Sequence, residues 1–200
     1  MPRFLSDDQV SALRERTCAA AERLFAEHGP EAVSMRPLAA EIGLTAMSLY
    51  RYFKDKDDIL AAVRTQGFDR IAEVLERALA ASMPPGCAAA PVSSAYITFA
   101  LEHPAAYRLM FELTQPNEAD YPELVRAVSR ARRPLRAFVE QSIAAGWIEA
   151  DEPEAVAHAY WAAIHGLVVL QLAGKIPSAV SFDAIRRSIL GALDRGFRKG

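Results

Sequence analysis

"SMRPLAAEIGLTAMSLYRYFKDK", residues Ser34 to Lys56, reads as two short helices joined by a tight turn, followed by an aromatic and basic run. Ser34 caps the first of these helices, and Leu38, Ala39 and Ile42 share its inward face. Gly43 supplies the left-handed residue of the turn, a conformation that a side chain would strain. Thr45 caps the second helix, which carries Leu49, Tyr50 and Phe53. This is the layout of a helix-turn-helix that lays a short second helix in a DNA groove, its first residues toward the bases.

Before this stretch, one longer helix starts near Ser6. Ser6 and Gln9 have capping-box spacing, and Asp7 and Asp8 sit in the first turn, where the helix dipole favours anions. Val10, Leu13, Thr17, Ala20, Ala21, Leu24 and Phe25 recur at threes and fours, and Gly29-Pro30 ends the run. After it, a fourth helix is expected from about Asp55 to Ser82, ~40 Å long at 1.5 Å per residue. Ile59, Leu60, Val63, Phe68, Ile71, Val74, Leu75 and Leu79 form its stripe. "SMPPG" (82–86) breaks the chain, and further helices follow near 87–102, 105–113, 121–145, 152–174 and 181–198, separated by Pro, Gly and Asn punctuation. No alternating strand pattern and no repeat stands out. The expected fold is therefore all-α with about nine helices. A three-helix head over residues 1–56 is joined by the long helix to a helical body over 57–200.

Bulk charge gives no support for a nucleic-acid partner: the net charge is −2, and residues 1–56 carry eight cations against eight anions. The signal is local, since residues 45–56 hold Arg51, Lys54 and Lys56 against Asp55 alone. DNA contact needs cations on one face rather than a basic chain. Cys18 and Cys87 form no CxxC pair and read as small core residues. The first ten residues lack the apolar core of a signal peptide, and no run reaches the ~18 apolar residues of a membrane span. A cytoplasmic location is expected. His158 and His165 lie ~10.5 Å apart along a helix, and no His or Cys falls at tight ligand spacing, so neither metal nor cofactor is expected.

In the helix-turn-helix, Ala46, Met47 and Ser48 occupy the first turn of the recognition helix. Ser48 can donate or accept at a base edge, and Ala46 and Met47 can meet a thymine methyl. Tyr50, Tyr52, Lys54 and Lys56 suit phosphate oxygens, and Arg36 suits either a phosphate or a base. The stretch 19–63 resembles the N-terminal domain of the TetR family of bacterial transcriptional regulators. The matching pieces are Leu24-Phe25…Gly29, Leu38-Ala39…Gly43-Leu44-Thr45, Leu49-Tyr50…Phe53 and Lys56…Ile59-Leu60. The resemblance implies phosphate contacts from Ser34, Thr45, Tyr50, Tyr52 and Lys56, and base contacts from Arg36, Ala46, Met47 and Ser48. Many family members carry glycine where this chain has Met47, which implies a base preference of its own. Tyr52 stands where a histidine is common.

The body resembles the Trp-His-Gly type of TetR C-terminal domain through "HPAAYRLMFE" (103–112) and "YWAAIHGLVVLQLAG" (160–174), with Trp161, His165 and Gly166 as the three residues. That resemblance implies a small-molecule pocket. His103, Tyr107, Met110, Phe111, Phe138, Trp147, Trp161, His165 and Gln171 are the candidates to line it, mostly apolar with a few polar tips. Ala155, Ala159, Ala162, Gly166 and Ala173 form a small-residue stripe on the eighth helix, and Ile185, Ile189, Ala192 and Leu193 stripe the ninth. In the family the last two helices pair with a second subunit, and a homodimer on a palindromic operator would double the contacts of a small head. The reading that follows is a dimeric repressor released from DNA by a largely apolar or aromatic effector.

Two alternatives stand beside it. One is a regulator that answers to a protein partner without a small ligand. The other is a helical enzyme or carrier with a vestigial head. Bundle carboxylate enzymes need Glu-x-x-His pairs, and no glutamate here has a histidine three residues on. Neither a nucleophile triad nor a phosphate-binding or dinucleotide loop is present.

Overall fold

The computed structural model describes residues 6–81, 90–111 and 116–198. Cys87, the 82–86 break and the punctuation at Gln115 lie outside them. The described residues form nine α-helices: α1 (Asp7–His28), α2 (Met35–Glu41), α3 (Ala46–Leu49), α4 (Lys56–Ala81), α5 (Ala90–Glu102), α6 (Pro104–Phe111), α7 (Pro122–Ala144), α8 (Pro153–Leu172) and α9 (Phe182–Phe197). Short 3-10 turns occupy Pro30–Ala32 and Glu118–Asp120. The described residues contain no strand, only one isolated antiparallel bridge between Ile148 and Arg198.

Local chemistry sets the boundaries. Ser6 and Gln9 close a full capping box at the start of α1, and Gly29 ends it at φ +79°. Gly43 takes φ +75° between α2 and α3. The hydroxyl of Thr45 accepts from the Ser48 amide at 3.2 Å, which starts α3. α3 stops at Leu49, one turn long, so Tyr50 is its C-cap and Phe53 falls beyond it. Ser34 holds the N-cap position of α2, but its side chain makes no capping bond, contrary to the sequence expectation.

The chain divides into two compact units. One holds the described residues of Met1–Phe68 and Ala105–Val128; the other holds those of Asp69–Pro104 and Ser129–Gly200. The division falls inside α4 and α7, and it groups α6 and the start of α7 with the helix-turn-helix, whereas the sequence reading draws its line at residue 56.

In the first unit, Phe25, Leu38, Leu49, Phe53, Ile59 and Leu109 join one buried cluster. Leu38, Leu49 and Ile59 are fully buried, each contributing about 1.5–3 kcal/mol of transfer free energy. Arg14 stacks over the Phe53 ring at 4.3 Å and donates to the Tyr52 carbonyl. Cys18 is buried in the same cluster, which pushes its thiol up to about 11. In the second unit, α8 packs against α5 and α9. The Tyr160 hydroxyl donates to Asp194 at 2.7 Å across α8 and α9. Arg130 of α7 forks onto both carboxylate oxygens of Glu76 at 2.8 and 2.7 Å and reaches Asp69 at 3.2 Å.

Candidate nucleic-acid interface

α3 is one turn long, with Leu49 and Met47 marking its inner and outer faces. Leu49 points inward and is fully buried, and Ala46 packs beside it against the cluster. Met47 is 78% exposed and Tyr50 is 51% exposed. They stand three residues apart at the start and end of the single turn, and the exposed Arg51 follows. Ser48 lies between the faces; its hydroxyl is 3.0 Å from that of Thr45, so the two form a polar corner at the first turn.

The other expected contacts separate into two groups. Ser34, Arg36 and Lys54 are exposed. With no capping bond to make, the Ser34 hydroxyl stays available on the surface. Tyr52 is half-buried and leans on the core cluster. Lys56 is engaged: its ammonium donates to the Pro30 carbonyl at 2.7 Å and lies 3.9 Å from the Glu31 carboxylate. It thereby ties the start of α4 to the turn after α1. Arg51, which the sequence reading counted as charge without a role, is exposed in the turn directly after α3.

The expected effector residues fall in both units. Tyr107, Met110 and Phe111 belong to the first unit, while His103, Phe138, Trp147, Trp161, His165 and Gln171 belong to the second. Tyr107 and Met110 are buried and Phe111 is half-buried. The Tyr107 and Phe111 rings lie 5.0 Å apart. In the second unit Phe138 is buried, whereas His103, Trp147 and Gln171 are exposed. Trp161 and His165 do meet, at 5.9 Å between rings. Tyr96 of α5, missed by the sequence reading, joins them. Trp161 Nε1 donates to the Tyr96 hydroxyl at 3.1 Å, and that oxygen is 3.3 Å from His165 Nδ1. The indole can only donate, so the Tyr96 oxygen accepts from Trp161 and also lies within hydrogen-bond reach of the His165 ring. Burial lowers the His165 pKa.

The apolar stripes of α8 and α9 remain partly uncovered. Ala155, Ala162 and Ala173 are exposed, and Ala159 and Gly166 are half-buried. Val169 is 44% and Leu170 50% exposed. On α9, Ile185, Ile189 and Leu193 are half-buried and Ala192 is exposed. α8 is long and apolar enough to cross a bilayer by length and composition, with a third of that stretch buried.

A family model described as bacterial regulatory proteins, tetR family, matches residues 18–63. A second, described as tetracyclin repressor-like, C-terminal domain, matches residues 89–193. An uncharacterized HTH-type transcriptional regulator of Mycobacterium tuberculosis is 25% identical over 186 residues, 93% of this chain and 82% of that protein. The HTH-type transcriptional repressor AcnR of Corynebacterium diphtheriae is 31% identical over 71 residues, 36% of this chain and 37% of that one. The solved structure of a protein of unknown function from Rhodococcus sp. RHA1 superposes with a TM-score of 0.78 at 25% identity, covering 99% of this chain and 98% of that one.

Proposed function

The chain belongs to the TetR family, whose members are DNA-binding transcriptional regulators and not enzymes, and from that premise we propose that it is a homodimeric repressor. It sits on a two-fold symmetric operator in the cytoplasm and is released by a small, largely apolar or aromatic effector. The observation that carries the DNA reading is α3, where Leu49 is fully buried while Met47, two residues away, is 78% exposed. A fixed inner face and an apolar outer face suit insertion into a groove. Ala46, Met47 and Ser48 read bases; Ser34, Thr45, Tyr50, Tyr52 and Lys54 hold phosphates, with Arg36 at either. Lys56 approaches phosphate only by sharing its ammonium with Pro30.

The repressor sign takes support from AcnR, a repressor by name. The exposed Val169 and Leu170 of α8, continuous with its alanine stripe, support pairing with a second copy. A single head reads few base pairs, and symmetry doubles them. The Trp161–Tyr96–His165 array supports an effector site of aromatic walls and oriented polar tips.

Selection of binding sites from random duplex DNA at near-physiological salt tests this reading. Two inverted half-sites are the expected outcome. A single unsymmetrical site would refute the dimeric mode, and no enrichment by folded protein would refute the role given to α3.

A further inference from the structure

Leu60, Phe68, Ile71 and Leu75 make a buried stripe along α4, and an arginine stands in it one turn after Leu60. Arg64 is 2% exposed. Its Nη2 donates to Glu118 Oε1 at 2.6 Å, while Nε and Nη1 have no hydrogen-bond partner. A guanidinium carries five N–H donors and keeps its charge, so donors left bare in the interior are costly and rare. Nε keeps one N–H and Nη1 two that no protein group takes.

The next turn of α4 packs on apolar residues of α6. One turn after Arg64, Gly67 is pressed on α6: a Cβ there would sit 2.8 Å from Met110 Cγ. The Phe68 ring meets Phe111 edge-on at 5.5 Å, and Phe111 is half-buried, which leaves this wall an outer end. The two partners of the ion pair differ in access: the Arg64 side chain is 3% exposed and that of Glu118 41%. Glu118 regains water if it leaves, whereas Arg64 cannot.

We infer that Arg64 anchors a small organic acid, whose carboxylate takes the guanidinium in exchange with Glu118 and whose apolar body lies against Phe68, Met110 and Phe111. A carboxylate suits this place better than a neutral oxygen, because a charged acceptor bonds a buried cation more strongly and keeps it neutralised. Met110, flexible at three bonds, is the side chain that yields. The site deepens the effector reading above, and rests on it for its regulatory meaning.

Calorimetric titration of the full chain with octanoate and 4-phenylbutyrate, against octanol and 4-phenylbutanol, tests the inference. Each acid is expected to bind about tenfold or more tighter than its alcohol. Arg64→Met should erase that preference. Glu118→Gln, at a partly exposed position that leaves the fold intact, should raise acid affinity because the internal competitor is gone. Equal affinity for acid and alcohol, acid binding unchanged in Arg64→Met or in Glu118→Gln, or no binding of either acid at millimolar concentration would each overturn it. Operator binding is measured alongside: acid that binds through Arg64 without releasing DNA supports the site and counts against the effector reading instead.

Discussion

α3 and α8 both show apolar side chains to solvent, for opposite structural reasons. α3 is one turn long and secured by a single buried leucine, so Met47 and Tyr50 are left outside by the brevity of the helix. α8 is twenty residues long and packs one face through Tyr160, Ile164 and Val168, yet keeps Val169 and Leu170 outside. On the first helix an exposed methionine is a lone probe beside hydroxyls. On the second, exposed valine and leucine continue a stripe of small residues. Isolated exposure beside polar groups suits reading a polar surface such as DNA, whereas contiguous exposure suits an apolar partner.

The widest gap should appear within α3 itself. Leu49→Ala is expected to cost about 2–5 kcal/mol in urea unfolding, as a fully buried leucine removed from a closed cluster. Met47→Ala should cost less than about 0.5 kcal/mol, as an exposed position. Similar costs for the two would mean that the faces of α3 are misassigned.

Next comes the uncovered face of α8. If Val169 meets a second copy, Val169→Glu buries a charge without a partner, and sedimentation should find the dimer dissociation constant raised about a hundredfold or more. A dimer that tolerates the glutamate would move the interface elsewhere. Inside the unit, Tyr160→Phe removes the hydroxyl that Asp194 accepts, and should lower stability by about 0.5–1.5 kcal/mol. No measurable loss would mean that water serves Asp194 equally well.

The smallest effect is a pH dependence. Burial lowers the pKa of His165, so as pH falls through ~6.5 the unfolded chain takes up a proton before the folded one does. Stability should therefore decline from pH 7 toward pH 5.5, above the range where carboxylates titrate. His165→Gln should remove part of that decline; an identical slope in the variant would show that the histidine titrates alike in both states.

Much of the fold was legible because its signals are local. Ser6 with Gln9, Gly29, Gly43 and Thr45 each act within four residues, and each does in the structure what its spacing implied. Helix boundaries followed to within a few residues. The parts that were not legible depend on distant partners. The periodicity of α4 gives a buried face but not its cover, so Arg64 passed unnoticed although it interrupts that stripe at i+4 from Leu60 and pairs with a residue 54 positions away. Lys56 looked like a free cation because the carbonyl that captures it lies 26 residues back. The expected pocket residues were chosen for type, and type does not say that Tyr107 and Met110 belong to the unit of the helix-turn-helix and Trp161 and His165 to the other. Tyr96 carried no sequence signal beyond being an aromatic in an apolar helix.

The central claim, that the outer face of α3 reads DNA, is tested most directly by measuring affinities of wild type and Met47→Gly across every single-base variant of the selected half-site. The expected result is a preference changed by about 1–3 kcal/mol at one or two base pairs, with the remaining positions unaffected. An identical preference profile for the two proteins would contradict the placement of α3 in the groove.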